Sequence, residues 1–146
     1  MTPDDRPLPL VEVAMTIPFH DVDMMEIVWH GHYVRYLEIA RCELLDHIDY
    51  NYLQMRESGF AWPGIDMRLR YAAPMRFTQR ILIEAKLTEW EHRLKVDYCI
   101  RDAETRQHLT RAWTVQVAVD VANQEMCLAS PKLFVDKLLA WQEQQQ

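Results

Sequence analysis

Length and charge restrict what this chain can be. It has 146 residues, 49% of them hydrophobic, which suits one domain with a buried core and leaves no room for a second. A formal net charge of −6 disfavours a general nucleic-acid-binding role, because phosphate neutralisation needs Lys and Arg in excess. We expect a single domain over 1–146, with its core at about 10–130, that binds no nucleic acid.

Cysteine usage and hydropathy indicate the cellular compartment in which we expect the protein. The three cysteines, Cys42, Cys99 and Cys127, include no CxxC pair, which argues against a disulfide framework and a thiolate zinc site. The first ten residues, MTPDDRPLPL, lack a basic segment followed by an apolar run, and no later stretch is apolar for long enough to span a bilayer. We therefore expect a cytoplasmic protein with reduced thiols and no membrane association.

The first half of the chain predicts one short strand and then a helix. The strand is expected at 11–19. Apolar positions of the helix recur every three or four residues, at Tyr33, Leu37, Ala40 and Leu44. This spacing predicts a helix with one buried stripe. The segment NYLQMRESGF predicts a short second helix that ends near Gly59.

The second half predicts strands, because apolar and polar residues alternate within 81–88, 94–101 and 113–119. In the third segment the alternation sets four apolar residues, Trp113, Val115, Val117 and Val119, against the polar Thr114 and Gln116. Short connections near 90–92 and 102–107 indicate antiparallel neighbours. IDMRLRYAAP and EMCLA predict further strands, and the tail from Pro131 predicts a helix as far as a frayed QEQQQ.

Together these elements predict the fold class. One long helix and about five strands cannot bury both faces of a sheet. We therefore predict an α+β fold in which a curved antiparallel sheet wraps around one long central helix. The remaining edges and faces would be covered by a second subunit, in a homodimer or a homotetramer.

The most informative stretch is FHDVDMMEIVWHGHYVRYLEIARCELLDH, at 19–47, which places carboxylates and two histidines just before the long helix. A helix start offers unpaired backbone N–H groups and partial positive charge, so it stabilises a carboxylate or a developing oxyanion. Acyl transfer needs this combination of groups.

Within this stretch, Asp21-Val22-Asp23, followed by Ile27-Val28-Trp29-His30 and Tyr33, resembles a family signature. The signature, Asp-x-Asp…Val-x-(His or Tyr)-x-x-Tyr, is that of the 4-hydroxybenzoyl-CoA thioesterase family of hotdog-fold acyl thioesterases. The segment APMRFTQRILIEAKLTEW is also similar to that family's entry into its long strands. The resemblance covers most of residues 10–130. It implies a hotdog fold, Asp23 as the catalytic carboxylate, and a backbone N–H at His30 that points at the thioester carbonyl.

The implied chemistry needs no metal or redox cofactor. Ionised Asp23 would attack the thioester directly or act as a base on water, and the sequence leaves both routes open. The N–H of His30 or Gly31 would bind the oxyanion, and the His30 imidazole would orient Asp23 or the attacking water. Catalytic Asp23 and His30 are therefore the predicted centre of the site.

Substrate contacts are predicted around this centre. Gly31 and Tyr33 lie beside the helix start, and Met24 and Met25 are flexible enough to line an irregular acyl site. Arg68 and Arg70 fall on one strand face, where they would bind phosphate. The substrate is predicted to be an acyl-CoA or an acyl-carrier-protein thioester, and the sequence does not choose between the two.

Two other roles for these residues stay open. Asp23 and Glu26 have the spacing of a capping box, which would make Asp23 a purely structural residue. His30 and His32 with a nearby Asp suggest a metal site only weakly, because residues two apart do not share a helix face. We therefore predict no metal.

The chain departs from the family at Met24-Met25-Glu26, where members usually carry small residues that often end in Gly. Glycine permits unusual φ angles there, so Glu26 predicts a loop of different shape or a weaker activity. Two rival functions stay open. One is another hotdog activity, a dehydratase, and the other is a non-catalytic protein that binds acyl groups or acyl carriers.

Overall fold

The structure is a computed structural model that describes Pro3 and residues 6–145. Its strands are β1 (Leu10–Thr16), β2 (Phe60–Ala61), β3 (Gly64–Tyr71), β4 (Arg80–Glu89), β5 (Leu94–Asp102), β6 (His108–Gln116) and β7 (Val119–Asp120). Its α-helices are α1 (Tyr33–His47), α2 (Tyr52–Glu57) and α3 (Lys132–Gln144). Single 3-10 turns form at Phe19–Asp21 and at His30–His32.

Five strands form one antiparallel sheet in the order β1-β4-β5-β6-β3, and α1 packs against it through β1 and β4. The buried stripe of α1 follows the predicted helical spacing, and the residues of β4 that alternate inward are equally buried. The predicted α+β hotdog architecture is therefore confirmed, as is the helix that starts at Tyr33.

The strand predicted at 113–119 is present as β6, but it spans His108–Gln116, and its core-facing side is the polar one. Directly paired residues lie on the same face of a sheet, and Thr114 is paired with Val96 of β5, which points into the core. The helix side of β6 is thus polar. Thr114 is held by the Tyr98 hydroxyl at 2.9 Å, and Gln116 donates to the Trp62 carbonyl at 2.8 Å. These hydrogen bonds make polar residues tolerable where alternation alone predicts apolar ones.

Two other predicted boundaries and one predicted strand also differ from the structure. The first strand ends at Thr16, because a 3-10 turn takes over at Phe19. EMCLA forms no strand beyond a single bridge from Met126 to Val119. The last helix continues to Gln144 instead of fraying at QEQQQ, because Gln142 is buried and its amide donates to the Arg6 carbonyl at 3.4 Å.

Candidate active site

Asp23 lies in a tight turn between β1 and α1. The Asp23 N–H donates to the Ile27 carbonyl at 2.9 Å, and the Glu26 N–H donates to the Asp23 carbonyl at 2.9 Å. One carboxylate oxygen, Oδ1, accepts the Met25 N–H at 2.8 Å. Within the described chain the other oxygen, Oδ2, has no hydrogen-bond partner. Asp23 is exposed and does not cap α1, so the capping-box alternative is wrong.

Glu26 adopts the conformation that a glycine would supply. Its φ is 63°, in the left-handed region, and it follows the turn at the position where three-residue hairpin loops place such a residue. The Phe77 N–H donates to its carbonyl at 3.3 Å, which fixes the turn against the β3–β4 connection. Glu26 thus supplies, at a conformational cost, the backbone conformation that glycine adopts without strain. A loop whose shape differs from that of other family members, or a weaker activity, stays a prediction.

The start of the helix presents unpaired N–H groups. A 3-10 turn at His30–His32 leads into α1, and its first bond runs from the His32 N–H to the Trp29 carbonyl at 2.9 Å. Among the residues that the structure describes, the N–H groups of His30 and Gly31 have no acceptor. A Cβ at Gly31 would come within 2.2 Å of the Trp29 ring. Gly31 is thus needed for that ring to pack over the helix start.

One cavity of about 280 Å³ brings the carboxylate turn and the helix start together. Asp23, Val28, His30, Tyr33 and Tyr71 are among the residues that line it. The Tyr71 hydroxyl donates to the His30 carbonyl at 3.3 Å, and its ring meets the Tyr33 ring edge-on at 4.6 Å between centroids. The structure therefore unites Asp23, His30 and Tyr33 as predicted. Tyr71 was missed, because it lies 41 residues from His30 in sequence.

The two histidines beside the helix start make aromatic contacts. The Trp29 ring lies 5.1 Å from the His30 ring and 5.3 Å from the His32 ring. In the described chain, the His30 imidazole makes no hydrogen bond to Asp23. The described residues also contain no group of three or more His, Cys, Asp or Glu side chains placed to hold a metal ion.

Asp21 is a buried carboxylate, although it lies only two residues before exposed Asp23. It is 1% exposed, and its Oδ2 accepts the Tyr36 hydroxyl at 2.5 Å. The Arg35 guanidinium lies 2.5 Å from Oδ1 and pairs with it electrostatically. Burial raises the pKa of Asp21, but the hydrogen bonds from Tyr36 and Arg35 outweigh burial and lower it overall. Asp21 is therefore ionised at neutral pH.

Sequence reasoning missed Arg35 and Tyr36 as partners of this carboxylate. The available signal was the Asp-x-Asp spacing together with a Tyr and an Arg in the first turn of the following helix. Burial and the hydrogen bond to Asp21 both raise the pKa of Tyr36, which stays protonated and able to donate.

Comparison with known proteins identifies the family of this chain. A family model described as the thioesterase-like superfamily matches residues 17–142. The chain belongs to this superfamily. A Synechocystis protein named as an esterase is 28% identical over 129 residues, which cover 88% of this chain and 78% of that protein.

Solved structures show the same fold at low identity. A 1,4-dihydroxy-2-naphthoyl-CoA thioesterase from Synechocystis has a TM-score of 0.79 and 21% identity, over 89% of this chain and 96% of its own. An Asp-to-Asn variant of a 4-hydroxybenzoyl-CoA thioesterase, complexed with 4-hydroxybenzoyl-CoA, has a TM-score of 0.76 and 16% identity. The match covers 89% of this chain and 99% of that protein's chain. At these identities the likeness concerns the fold alone.

Of the six predicted substrate residues, Tyr33 lines the cavity, and Gly31 lies at the helix start but is not among the lining residues. The other four lie outside the cavity. Met24 and Met25 are exposed at the tip of the turn. Arg68 and Arg70 lie on the face of the sheet opposite α1, around a second concavity of about 280 Å³ that also includes Arg111. One protomer thus brings together the predicted catalytic residues without these four side chains. Within the described residues, no helix is long and apolar enough to span a membrane.

The strained turn gives a stability prediction. Glu26→Gly should raise the melting temperature by about 2–4 °C, because the left-handed penalty of roughly 1–2 kcal/mol that it removes exceeds the extra chain entropy of glycine by about 1 kcal/mol. Thermal unfolding followed by circular dichroism measures the change. Glu26→Ala is the matched control, since it removes the same carboxylate but keeps a Cβ at φ 63°. Equal melting temperatures for the Gly and Ala variants would contradict the assignment of strain.

Proposed function

We propose that this protein hydrolyses acyl-CoA thioesters, with Asp23 as the nucleophile or general base and the N–H groups of His30 and Gly31 as oxyanion donors. The observation that carries the proposal is that one cavity is lined by the Asp23 turn and by a helix start with unpaired N–H groups. Hydrolysis needs both parts, an activated oxygen nucleophile and a donor for the carbonyl oxygen. No metal or redox cofactor enters this proposal.

The free oxygen of Asp23 supports both chemical routes. In one, Oδ2 attacks the carbonyl carbon, the C–S bond breaks, and water hydrolyses the resulting anhydride. In the other, Oδ2 takes a proton from water, and the hydroxide attacks. The thiolate leaves in both routes, and the oxygen that becomes negative is stabilised by the helix-start N–H groups. Losing one such donor typically costs about 3 kcal/mol of transition-state stabilisation.

The acyl group is proposed to lie against the aromatic wall of the cavity. Tyr33 and Tyr71 contact each other there, and burial raises the pKa of Tyr33 so that it stays neutral. Met24 and Met25 are exposed next to Asp23, and we propose that they contact the part of the acyl group that extends out of the cavity.

For the thiol end of the substrate, we propose that Arg68, Arg70 and Arg111 bind the phosphates of coenzyme A. Arg70 is paired directly with Arg111 across β3 and β6, an arrangement that repels unless an anion neutralises it. Within the described residues, none of the three forms an ion pair. Trp113 lies opposite Arg68 and offers a stacking surface. This compact cluster suits clustered phosphates better than the broad surface of an acyl carrier protein.

We also propose a homodimer, or a homotetramer built from two such dimers. The β3 strand is an edge of the sheet, and its Ile65 and Met67 are exposed beside a groove of about 490 Å³ that separates it from α1. A long edge strand with exposed apolar side chains is a typical site of pairing with another chain. A second protomer over Gly64–Met67 would leave the Arg70–Tyr71 end free for substrate.

The catalytic assignment predicts the effect of Asp23→Asn. This variant should lower kcat at least about 100-fold, because it removes the nucleophile or base. Its melting temperature should hardly change, because Asn keeps an oxygen that accepts the Met25 N–H. Thiol release from aryl-, short- and long-chain acyl-CoA measures activity, and Glu26→Gln is a control that removes a carboxylate from the same turn.

The outcomes separate the rival functions. Equal activity of native protein and Asp23→Asn would mean that Asp23 is structural. Formation of an enoyl product without thiol release would identify a dehydratase. Acyl-CoA binding without release of thiol, including from carrier-bound substrates, would identify a non-catalytic binding protein.

The phosphate assignment makes a separate kinetic prediction. Replacing both Arg68 and Arg70 by Gln should raise KM for acyl-CoA by about 10-fold or more, since each charge-assisted hydrogen bond contributes about 1.5–3 kcal/mol. KM for the matching acyl-pantetheine, which lacks the nucleotide, should not change. Arg93→Gln is the control, because it removes a partly exposed arginine that is paired with Glu89, away from this cluster. An equal rise in KM for both substrates would argue against phosphate binding here.

The proposed interface predicts a change in mass. Light scattering should give the native protein at least twice the 17.4 kDa of one chain. Met67→Glu should shift the mass toward one chain, because it places a charge in the apolar contact. Leu128→Glu, at another exposed apolar position, should not. A native mass of one chain, or an oligomer unaffected by Met67→Glu, would exclude this interface.

A further inference from the structure

We propose that Asp21 is a positioning residue that holds the Asp23 carboxylate and the helix-start N–H groups at a fixed separation. The inference rests on the proposed hydrolase function. Asp21 does not line the cavity of Asp23. Its Oδ2 accepts the Tyr36 hydroxyl and its Oδ1 is ion-paired with Arg35, so it is not itself the reacting group.

Its side chain is attached to α1. Oδ2 accepts the Tyr36 hydroxyl at 2.5 Å, and Oδ1 lies 2.5 Å from the Arg35 guanidinium. The third ionisable neighbour is His20, whose Nε2 lies 3.7 Å from Oδ1. The Asp21 side chain is 2% exposed, so water reaches these contacts only from the side of Arg35, which is 47% exposed.

Its main chain is attached to the residue that precedes the oxyanion donors. The Asp21 carbonyl accepts the Trp29 N–H at 3.1 Å, and His30 and Gly31 follow directly. One residue further toward the turn on each side, Val22 and Val28 form an antiparallel β-bridge. These bonds close a loop from Asp21 to Trp29 with the Asp23 turn at its tip. One residue therefore connects the helix, the base-bearing turn and the donor segment.

Stability alone gives a weak reason for a charge at this position. Taking a carboxylate and a guanidinium out of water has a large desolvation cost, and apolar residues of similar volume often stabilise a core as well or better. An ion pair and a short hydrogen bond do fix direction and distance more narrowly than apolar packing. Catalysis needs that geometric precision, since a displacement of about 1 Å can lower the rate 100-fold.

Tyr36→Phe is the first test, because it removes the hydroxyl that Asp21 accepts and retains the buried ring. We expect kcat on the best acyl-CoA substrate to fall by about 10-fold or more, with KM within about twofold. Asp21→Asn should lower kcat further, and Asp21→Glu should not restore it, because its carboxylate is one methylene too long for the same contacts.

Tyr50→Phe is the matched control. Tyr50 is also fully buried, and its hydroxyl accepts the Trp62 Nε1–H at 3.1 Å, in a cluster with Phe134. Both variants should lower the melting temperature by a similar amount, but only Tyr36→Phe should lower kcat. Assays well below both melting temperatures separate the two effects.

The results decide whether Asp21 positions the reacting groups or only stabilises the fold. If Tyr36→Phe loses stability as Tyr50→Phe does but keeps native kcat, Asp21 is only structural and the inference is wrong. If Tyr36→Phe does not fold, Arg35→Gln takes its place, since Arg35 is half-exposed. If the native protein releases no thiol from any substrate, the proposed hydrolase function fails, and the inference built on it is overturned as well.

Discussion

The packing of α1 on the sheet is the constraint on which the rest of the structure depends. Three residues of its stripe, Tyr36, Leu37 and Ala40, are almost completely buried. A helix with one apolar stripe can rotate very little without exposing it, so the direction of every other side chain on α1 is also fixed. The helix start is thereby held beside the β3–β4 connection, where the Met75 carbonyl accepts the Val28 N–H at 2.7 Å. Oriented donors of this kind need no rearrangement when charge develops in a reaction.

The two aspartates of one short motif show how environment assigns chemistry. Asp21 is buried, and the Tyr36 hydroxyl and the Arg35 charge already compensate its negative charge. Asp23 is exposed and keeps one oxygen unbonded in the described chain. A carboxylate with a vacant oxygen at a cavity can accept a proton or attack a carbonyl carbon, whereas a fully engaged one cannot. The two environments thus suit the two roles that we propose, positioning for Asp21 and reaction for Asp23.

The sequence predicted those parts of the fold that depend on local periodicity. In the α1 helix and in strands β4 and β5, the positions that face the core carry apolar residues, so the periodicity of the sequence agrees with the observed burial. On β6 they disagree, because Thr114 and Gln116 are satisfied by Tyr98 and Trp62, partners from distant parts of the chain. No pattern within one strand contains that information. The strand predicted at EMCLA does not form for a similar reason, because a segment with strand propensity forms a strand only where a neighbouring strand is available to pair with it.

The candidate site was likewise predicted only where it depends on local spacing in the sequence. Motif spacing placed Asp23 before the helix and beside His30, and the structure brings both residues to one cavity. Spacing did not predict that Glu26 would adopt a φ of 63°, because the penalty of roughly 1–2 kcal/mol is small against the contacts that hold the turn. It also missed Tyr71, which reaches the site only because β3 ends next to α1.

A motif of this kind specifies chemistry more fully than it specifies substrate. The cavity at Asp23 measures about 280 Å³, just below the usual range of about 300–1,000 Å³ for small-molecule sites. A larger acyl group would need space beside Met24 and Met25 or in the groove between α1 and β3, which Val34, one residue after Tyr33, helps to line. That groove includes the polar inner face of β6 and the exposed edge proposed to meet a second protomer. Acyl preference would then depend on residues outside the catalytic motif, so proteins that share the motif can differ in the acyl groups they accept.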